Sequence, residues 1–252
     1  MDALRRQGDF AEPAAARPCP ATRPHARYAA EDRFVNAKPQ GACAKDAPSA
    51  WVRARRPSGA AMPAPAPLRP ATPDDAPALA RLYALAGFGL PLVVWADWAR
   101  PGETALDCGA RLIAASDGEF SHAQALVAHD GAEVLGCLLG WRLEGPPAAP
   151  SHPLYAPHAE VAALAEGAWY LDVLAVAEAA QGRGLGSAML ARAEDLARES
   201  GAAEIALDVA DANARARSLY ARRGFVERAR RPFVKTGWAG PWRDLILMAK
   251  PL

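Results

Sequence analysis

A glycine-rich turn in the second half of the chain has residue types that suit anion binding. The segment Gln181-Gly182-Arg183-Gly184-Leu185-Gly186-Ser187 follows an apolar run, Trp169–Val176, and precedes residues 187–200, where apolar side chains recur at helical spacing. The start of a helix presents several backbone N–H groups without intrahelical partners and carries partial positive charge. Since glycine removes side chains from this backbone, it can wrap a phosphate or a pyrophosphate. The turn therefore predicts a phosphoanhydride ligand.

Spacing distinguishes this turn from two common phosphate-binding motifs. A Walker A motif needs GxxxxGK followed by Ser or Thr, and no such lysine is present. The Rossmann pattern GxGxxG also fails, because Ser187 lies three residues after Gly184 and Met189 three residues after Gly186. What remains is Gln-x-x-Gly-x-Gly, beginning at Gln181. Glycines at a strand-to-helix turn can also serve only tight packing, and position alone leaves that interpretation open.

The pattern Gln181-x-x-Gly184-x-Gly186 resembles the acetyl-CoA signature of the GNAT acetyltransferases. Residues 171–176 are similar to the strand that precedes that signature, and residues 213–225 are similar to the late helix and following strand of the family. The resemblance implies an α/β (α+β) fold in which a mixed, centrally splayed β-sheet is flanked by helices. It also implies an N-acetyltransferase that moves an acetyl group from acetyl-CoA to a primary amine by direct attack in a ternary complex.

The resemblance covers residues 68–248 and implies how the cofactor is held. The backbone of Leu174 and Val176 would pair with the pantetheine arm as a further strand does, and the N–H groups of residues 182–187 would hold the pyrophosphate. Arg183 would add positive charge, and a backbone N–H near Leu174 would stabilise the oxyanion that develops as the amine attacks. The residues implied to contact the cofactor are Leu174, Ala175, Val176, Gln181, Gly182, Arg183, Gly184, Leu185, Gly186, Ser187, Asn213 and Tyr220.

Acetyl transfer to an amine requires a base that takes the proton of the amine and an acid that protonates the departing thiolate. Tyr220 is the predicted acid, because its hydroxyl resembles the donor to sulfur in the family. It lies seven residues, two helical turns, after Asn213, so that both can face one cofactor. The alternative for Tyr220 is a core tyrosine packed beside Leu219. Asn213 is equally suited to cap its helix, and capping is compatible with cofactor contact.

Asp172 is the predicted base, because a carboxylate beside the thioester can be desolvated and its pKa raised toward neutrality. Strand alternation predicts Tyr170 and Asp172 on one face of the sheet, and Leu171 and Val173 on the other. Asp172 can equally be a structural carboxylate bonded to nearby backbone, with water deprotonating the amine. Glu119 is a second candidate for the base.

Local patterns place the glycine turn within a β-loop-α-β unit of a larger α/β domain. An extended run over residues 67–71 leads into a helix capped by Thr72, and further helices are predicted around Trp95 and over residues 105–115. The remaining predicted elements are a hairpin of residues 125–128 and 133–143, a loop over 146–157, a strand over 169–176, a loop over 177–186, a helix over 187–200, a strand over 204–209, a helix over 213–223, and strands over 225–229 and 244–248.

The resemblance implies that the early helices and the last hairpin select the acceptor. Those segments contain Trp95, Trp98, Phe120, Trp238 and Trp242, which could line an aromatic pocket. Tryptophans are equally suited to act as packing anchors. A small amine, a peptide N-terminus and a protein lysine all stay open as acceptors, and a homodimer stays open as the oligomeric state.

Composition and charge disfavour several other classes of protein. The 252 residues are 51% hydrophobic, their net charge is +1, and no apolar run approaches the roughly 20 residues of a membrane helix. Neither a membrane nor a nucleic acid is therefore indicated as a partner. The four cysteines form no CxxC pair, so we expect no metal site and no disulfide framework, and a reducing, cytoplasmic setting is favoured. They are Cys19, Cys43, Cys108 and Cys137.

Residues 1–61 are rich in Ala, Pro and Arg and show no structural period, which predicts a disordered extension. They hold eleven Lys and Arg against six Asp and Glu, a net charge of +5, which leaves −4 for the remainder. Such a tail could bind a partner, or it could reflect a mis-assigned start, with Met62 as the true first residue. Interspersed acids and prolines favour an inert or artefactual tail, and residues 62–252 form the predicted acetyltransferase domain.

Two other functional classes stay open. One is a non-catalytic acyl-CoA-binding module of the same fold, which the presence of Tyr220 disfavours. The other is a hydrolase using Ser and one of His122, His129, His152 and His158, although no Gly-x-Ser-x-Gly elbow supports it. These histidines fall mostly in predicted loops, where we expect solvent exposure.

Overall fold

The computed structural model describes residues 66–118, 120–131, 133–145, 149–233 and 238–252. The predicted extension 1–61, the alternative start Met62 and the second base candidate Glu119 lie outside these residues. In the described ranges the β-strands are β1 (Leu68–Pro70), β2 (Ala125–His129), β3 (Val134–Arg142), β4 (Trp169–Val176), β5 (Glu204–Ala210), β6 (Val226–Pro232) and β7 (Asp244–Pro251). The α-helices are α1 (Ala76–Ala86), α2 (Leu90–Trp98), α3 (Ala105–Ala114), α4 (Ala156–Ala162), α5 (Leu185–Glu199) and α6 (Ala214–Arg222).

The strands form one mixed sheet in the order β1-β2-β3-β4-β5-β7-β6. β4 and β5 are parallel, whereas the other neighbouring pairs are antiparallel. A parallel pair needs a crossover connection, and α5 supplies it here. The predicted β-loop-α-β unit therefore occupies the centre of the sheet.

β4 and β5 separate after a short stretch of pairing. Residues 169–171 of β4 pair with residues 205–207 of β5. Beyond these residues β4 stays paired with β3 as far as Val176, and β5 stays paired with β7 as far as Ala210. The two strands therefore diverge from Asp172 and Asp208 onwards, and we call the wedge-shaped gap between them the splay. The predicted centrally splayed α/β (α+β) fold is confirmed.

A β-bulge at Asp172 lies at the base of the splay. Leu171 and Val173 pair with consecutive residues of β3, so Asp172 is the extra residue on β4. The bulge changes the alternation of side chains, because Leu171 and Leu174 pack in the cluster that contains α5, whereas Val173 packs in the cluster that contains α1. The prediction that Leu171 and Val173 share a face is therefore wrong, since strict alternation does not continue through a bulge.

Helices cover both faces of the sheet. On the first, which we call the α5 face, the predicted apolar stripe of α5 is buried against the central strands through Met189, Leu190, Ala193 and Ala197. On the second, the α1/α4 face, residues of α1, α2, α3 and α4 pack against the side of β4 that carries Tyr170. Burial of these apolar side chains is the main source of stability, at about 25 cal/mol per Å² removed from water.

Two helices, α4 and α5, begin within segments predicted as loops, and proline or glycine explains each start. α4 begins inside the predicted loop 146–157, with Pro157 in its first turn, where a missing N–H removes no intrahelical hydrogen bond. α5 begins at Leu185, before the predicted Ser187, with Gly184 as its N-cap at φ 85°. Proline and glycine therefore mark the starts of these helices.

A buried carboxylate joins α5 to α6 and β7. Glu194 of α5 is 4% exposed and accepts hydrogen bonds from Arg223, directly after α6, at 3.1 and 3.2 Å. Lys250 of β7 lies 3.0 Å from the same carboxylate. These opposite charges compensate the desolvation of Glu194 and fix the spacing of α5 and α6.

None of the helices in the described ranges has the length and apolar character needed to cross a lipid bilayer. The described His, Cys, Asp and Glu side chains also include no group of three placed to hold a metal ion.

We expect the substitution Gly140→Ala in β3 to destabilise the protein. A Cβ at Gly140 would lie 2.5 Å from Trp169 Cη2 and 2.6 Å from the carbonyl oxygen of Tyr170. Because that backbone cannot yield without disturbing β4, the free energy of unfolding should fall by about 1–3 kcal/mol, measured by urea denaturation. Gly118→Ala is the control, since a Cβ there meets only the Leu112 carbonyl oxygen, at 3.4 Å. Equal denaturation midpoints for the two variants would contradict this packing argument.

Candidate active site

A cleft of about 320 Å³ lies between the glycine turn, β4 and α6, and we call it the α5–α6 cleft. Its lining residues are Leu174, Val176, Ala180, Gln181, Gly182, Gly184, Leu185, Gly186, Ser187, Asn213, Arg215, Ala216, Leu219, Tyr220 and Arg222. Every residue predicted to contact the cofactor belongs to this lining except Ala175 and Arg183. The structure thus brings together the turn, the strand edge and the late helix that the sequence singled out.

The glycine turn directs backbone amides into the cleft. Gly182 and Gly184 have φ values of 78° and 85°, in the left-handed region that glycine adopts without strain. The first main-chain hydrogen bond of α5 runs from the Ala188 N–H to the Gly184 carbonyl, at 3.1 Å. The N–H groups of residues 185–187 therefore precede the helical hydrogen-bond ladder, and no side chain of the N-cap occupies them. This arrangement suits an anionic ligand.

Gln181 connects the walls of the cleft. Its side-chain Nε2 donates to the Val176 carbonyl at 3.1 Å, and its Oε1 accepts from Arg215 Nη1 at 2.6 Å. The glutamine of the signature therefore ties the end of β4 to the first turn of α6. This tie is a structural role beyond the cofactor contact that the sequence implied.

The free edge of β4 faces the splay at Leu174 and Val176. The Ala177 N–H donates to the Leu135 carbonyl across the β3 pairing at 2.8 Å. Successive residues of a strand direct their N–H and carbonyl groups to alternate sides. The N–H and carbonyl groups of Leu174 and Val176 therefore point away from β3 and into the splay. Ala175 directs its amides toward β3, and its side chain is buried on the α1/α4 face.

Asn213 caps α6, as one of the two interpretations of this residue predicted. Its Oδ1 accepts from the Ala216 N–H at 3.1 Å, and the side chain also lines the α5–α6 cleft. Arg215 and Arg222, which sequence analysis missed, line the same cleft. Their spacing of seven residues, two helical turns, is the signal that could have identified them.

Tyr220 lies two turns after Asn213 on the same wall of the cleft and is 7% exposed. Burial and the negative charge of Asp208 raise the pKa of the Tyr220 phenol, so the hydroxyl keeps its proton at neutral pH. The ring also packs against Phe225 at a centroid separation of 5.8 Å. The residue thus combines a core contact with a place in the cleft.

On the α1/α4 face, polar side chains meet at Asp208, on the β5 side of the splay. Tyr170 donates its hydroxyl hydrogen to Asp208 Oδ2 at 2.6 Å, and His158 Nδ1 lies 3.3 Å from the same oxygen. Burial lowers the pKa of His158, but the negative charges of Asp208 and Asp172 outweigh it, so this pKa is raised above its ordinary value. This cluster was not predicted from the sequence. Its signal is Asp208 itself, a carboxylate within the apolar run 205–209.

The expectation that the histidines are exposed is wrong for His122 and His158. His122 is buried, and its Nδ1 donates to the Ile113 carbonyl at 3.0 Å. His158 lies on α4, where its Nε2 is buried. His158 is packed against the domain because it lies on α4, and His122 because it lies in the turn before β2.

Three of the predicted aromatic residues are packing anchors. Trp95, Trp238 and Trp242 are buried, and the last two pack edge to face with ring centroids 4.9 Å apart. Trp98 and Phe120 are half-buried, and their part in acceptor binding stays a prediction.

Comparison with known proteins identifies the family. A family model described as the acetyltransferase (GNAT) family matches residues 91–225. The chain belongs to the GNAT acetyltransferase family. Membership confirms the resemblance noted in the sequence and the predicted cofactor, acetyl-CoA.

Solved structures confirm the GNAT fold. A crystal structure of an acetyltransferase shares 22% identity and a TM-score of 0.52, with 73% of this chain and 98% of that chain covered. An N-acetyltransferase from Staphylococcus aureus Mu50 shares 17% identity and a TM-score of 0.51, with 73% and 100% covered. A search of curated proteins finds no significant match.

We expect Gly184→Asp to abolish acetyl-CoA binding by this GNAT protein. The carboxylate would stand at the N-cap of α5, where it repels a phosphate and competes for the amides of residues 185–187. Affinity measured by calorimetry should fall by about 100-fold or more. Gly131→Asp is the matched control, because Gly131 also has a positive φ, 106°, but lies in the β2–β3 hairpin, outside the cleft. Unchanged affinity in Gly184→Asp would reject the assignment of the turn.

Proposed function

We propose that this protein is an acetyl-CoA-dependent N-acetyltransferase that acts on a primary amine by direct attack in a ternary complex. The observation that carries the proposal is the convergence of two features at one opening. The amide-rich start of α5 and the outward-facing edge of β4 both border the α5–α6 cleft. Family membership supplies the reaction class. A small-molecule amine or a peptide amine is the acceptor.

The walls of the cleft bind the cofactor through three kinds of group. Acetyl-CoA supplies the acyl group in activated form, as a thioester. The N–H groups of residues 185–187 bind its pyrophosphate, with Arg215 and Arg222 contributing positive charge from α6. The N–H and carbonyl of Leu174 and the N–H of Val176, which face the splay, form hydrogen bonds with its pantetheine arm, as a neighbouring strand would. The Leu174 N–H also lies beside the splay, where it stabilises negative charge on the acyl oxygen.

Tyr220 acts as the acid that protonates the departing sulfur. Its raised pKa keeps the phenol protonated in the resting protein, so a proton is available when negative charge develops on sulfur. Its place in the cleft that the edge of β4 also lines, two helical turns along α6 from Asn213, supports this role.

Removal of the proton from the amine takes place on the α1/α4 face of the splay. Asp172, the predicted base, stands at the β-bulge. Burial and Asp208 raise the pKa of Tyr170, Asp208 raises the pKa of His158 against the effect of burial, and the charge of Asp172 adds to both increases. A carboxylate in that position attracts an ammonium group and favours the approach of a cationic acceptor. The acceptor therefore enters opposite the α5–α6 cleft.

Residues 62–252 carry this activity, since every residue that lines the cleft or meets Asp208 lies within that range. We place the protein in the cytoplasm, where Cys108 and Cys137 stay reduced. Both are buried as free thiols.

Thiol release from acetyl-CoA across a panel of amines, polyamines, amino acids and peptides tests the proposed activity. We expect release that requires an amine, with the acetylated amine identified by mass spectrometry. Calorimetric binding of acetyl-CoA without transfer to any amine would favour the non-catalytic acyl-CoA-binding module instead. Release that is independent of amine would favour a hydrolase.

We expect Tyr220→Phe to lower kcat by about 100-fold or more while leaving the affinity for acetyl-CoA nearly unchanged. The substitution keeps the ring that packs against Phe225 but removes the proton that sulfur receives. Steady-state kinetics and calorimetry on the same preparation separate the two effects. Wild-type kinetics in this variant would remove Tyr220 from the mechanism.

A further inference from the structure

His158 and Asp208 form a hydrogen-bonded pair on the α1/α4 face of the splay. His158 Nδ1 lies 3.3 Å from Asp208 Oδ2, and the two side chains are 25% and 11% exposed. The hydroxyl of Tyr170 donates to the same oxygen at 2.6 Å. The Tyr170 bond orients the carboxylate, so Asp208 is held in place from β4 while it contacts α4.

The partner of Nδ1 determines the tautomer of His158. An ionised carboxylate only accepts hydrogen bonds, so Nδ1 must carry the hydrogen that it donates to Asp208. In the neutral ring the lone pair is then on Nε2. Among the described residues this buried Nε2 has no hydrogen-bond partner. A buried polar atom without a partner is costly, and a bound acceptor amine would satisfy it.

The carboxylates at the splay act electrostatically on His158 and on Tyr220. The charges of Asp208 and Asp172, which flank the splay, both act on His158. The charge of Asp208 also acts on Tyr220, across the splay on the α5 face. His158 therefore lies within electrostatic reach of the carboxylates on both strands of the splay.

We propose that His158, held in its basic tautomer by Asp208, is the group that takes the proton from the acceptor amine. This assignment rests on the proposed N-acetyltransferase function. The ammonium group of the acceptor first releases one proton to water. As the freed nitrogen lone pair forms the C–N bond, an N–H bond breaks and its proton moves to His158 Nε2. The C–S bond breaks with its electron pair on sulfur, and Tyr220 protonates the thiolate. Tyr220 then regains a proton from water and His158 releases one, so the enzyme is restored.

The pair predicts the direction of the pH dependence. The groups that face His158 are Asp208 on β5, Asp172 and Tyr170 on β4, and the rings of Tyr155, Phe233 and Trp242. Burial lowers the pKa of His158, and the two carboxylates raise it above its ordinary value. Because only the neutral ring accepts a proton, kcat/KM should rise as pH increases through this raised pKa.

Four variants test the proposal in the full-length protein, one of them Asp172→Asn, which removes the competing base. His158→Asn keeps a donor that can reach Asp208 but has no base, whereas Asp208→Asn removes the charge that fixes the tautomer. His152→Asn is the matched control. His152 lies 3.3 Å from Asp97, as His158 does from Asp208, but its Nδ1 accepts from the Leu154 N–H, so Nε2 is the donor. It therefore offers no lone pair.

We expect His158→Asn to lower kcat/KM by about 100-fold or more at neutral pH. The variant should also lose the rise in kcat/KM with pH, the limb of the pH profile, that reflects deprotonation of His158. In Asp208→Asn the pKa of His158, measured by NMR titration, should be lower than in the wild type. Any rise in kcat/KM with pH that remains should move to lower pH with it. Part of the rise in kcat/KM with pH can come from deprotonation of the free acceptor's own ammonium group. That part will be the same in the wild type and in every variant, which distinguishes it from the part due to His158. His152→Asn should match the wild type.

Wild-type kcat/KM and an unchanged pH profile in His158→Asn would overturn the assignment while leaving the acetyltransferase activity intact. Loss of the limb in Asp172→Asn, with its retention in His158→Asn, would likewise overturn it in favour of Asp172. A wild-type protein that acetylates no amine would overturn the proposed function and this assignment together. Acetyl-CoA affinity and circular dichroism of each variant confirm that the domain is folded.

Discussion

The brief parallel pairing of β4 with β5 is the constraint on which the site depends. Once the strands part at Asp172 and Asp208, the amides on one edge of β4 lose the partner strand that would satisfy them. Backbone polar groups inside a protein need partners, so a sheet that opens in its centre must supply substitutes. Gln181 supplies one, to the Val176 carbonyl, and a ligand lying along β4 would supply the others. The β-bulge at Asp172 belongs to the same arrangement, because it directs Leu174 and Val176 toward the cleft.

Charge is divided between the two faces of the opening. On the α5 face, helix-start amides and the arginines of α6 surround a cleft that suits an anion. On the α1/α4 face, Asp172 and Asp208 provide negative charge beside His158. A cofactor with phosphates and an acceptor that is cationic in water are thus drawn to opposite sides of one gap. Glu194 fixes the spacing of α5 and α6, so this arrangement does not depend on exposed loops.

The sequence revealed the cofactor half of the site far better than the acceptor half. The glycine turn, Asn213 and Tyr220 are linked by short-range spacing, and spacing of this kind survives as a pattern in one chain. Asp208 and His158 are fifty residues apart, and no local pattern reports a contact made only by folding. The proline-rich segment that precedes His158 also conceals α4, because proline in a first turn is compatible with a helix. Alternation failed at Asp172 for a related reason, since a bulge depends on pairing with β3.

The tie between Gln181 and Val176 also limits where a pantetheine arm can lie. Because the Val176 carbonyl already accepts a hydrogen bond from Gln181, the edge of β4 offers a ligand the Val176 N–H and the N–H and carbonyl of Leu174. The amides at residues 185–187 anchor the other end of the same ligand. Because these two binding positions are fixed, an arm of given length places its sulfur at a single position in the splay. A thioester on a shorter or longer arm would bind with its acyl carbon out of register with the attacking nitrogen.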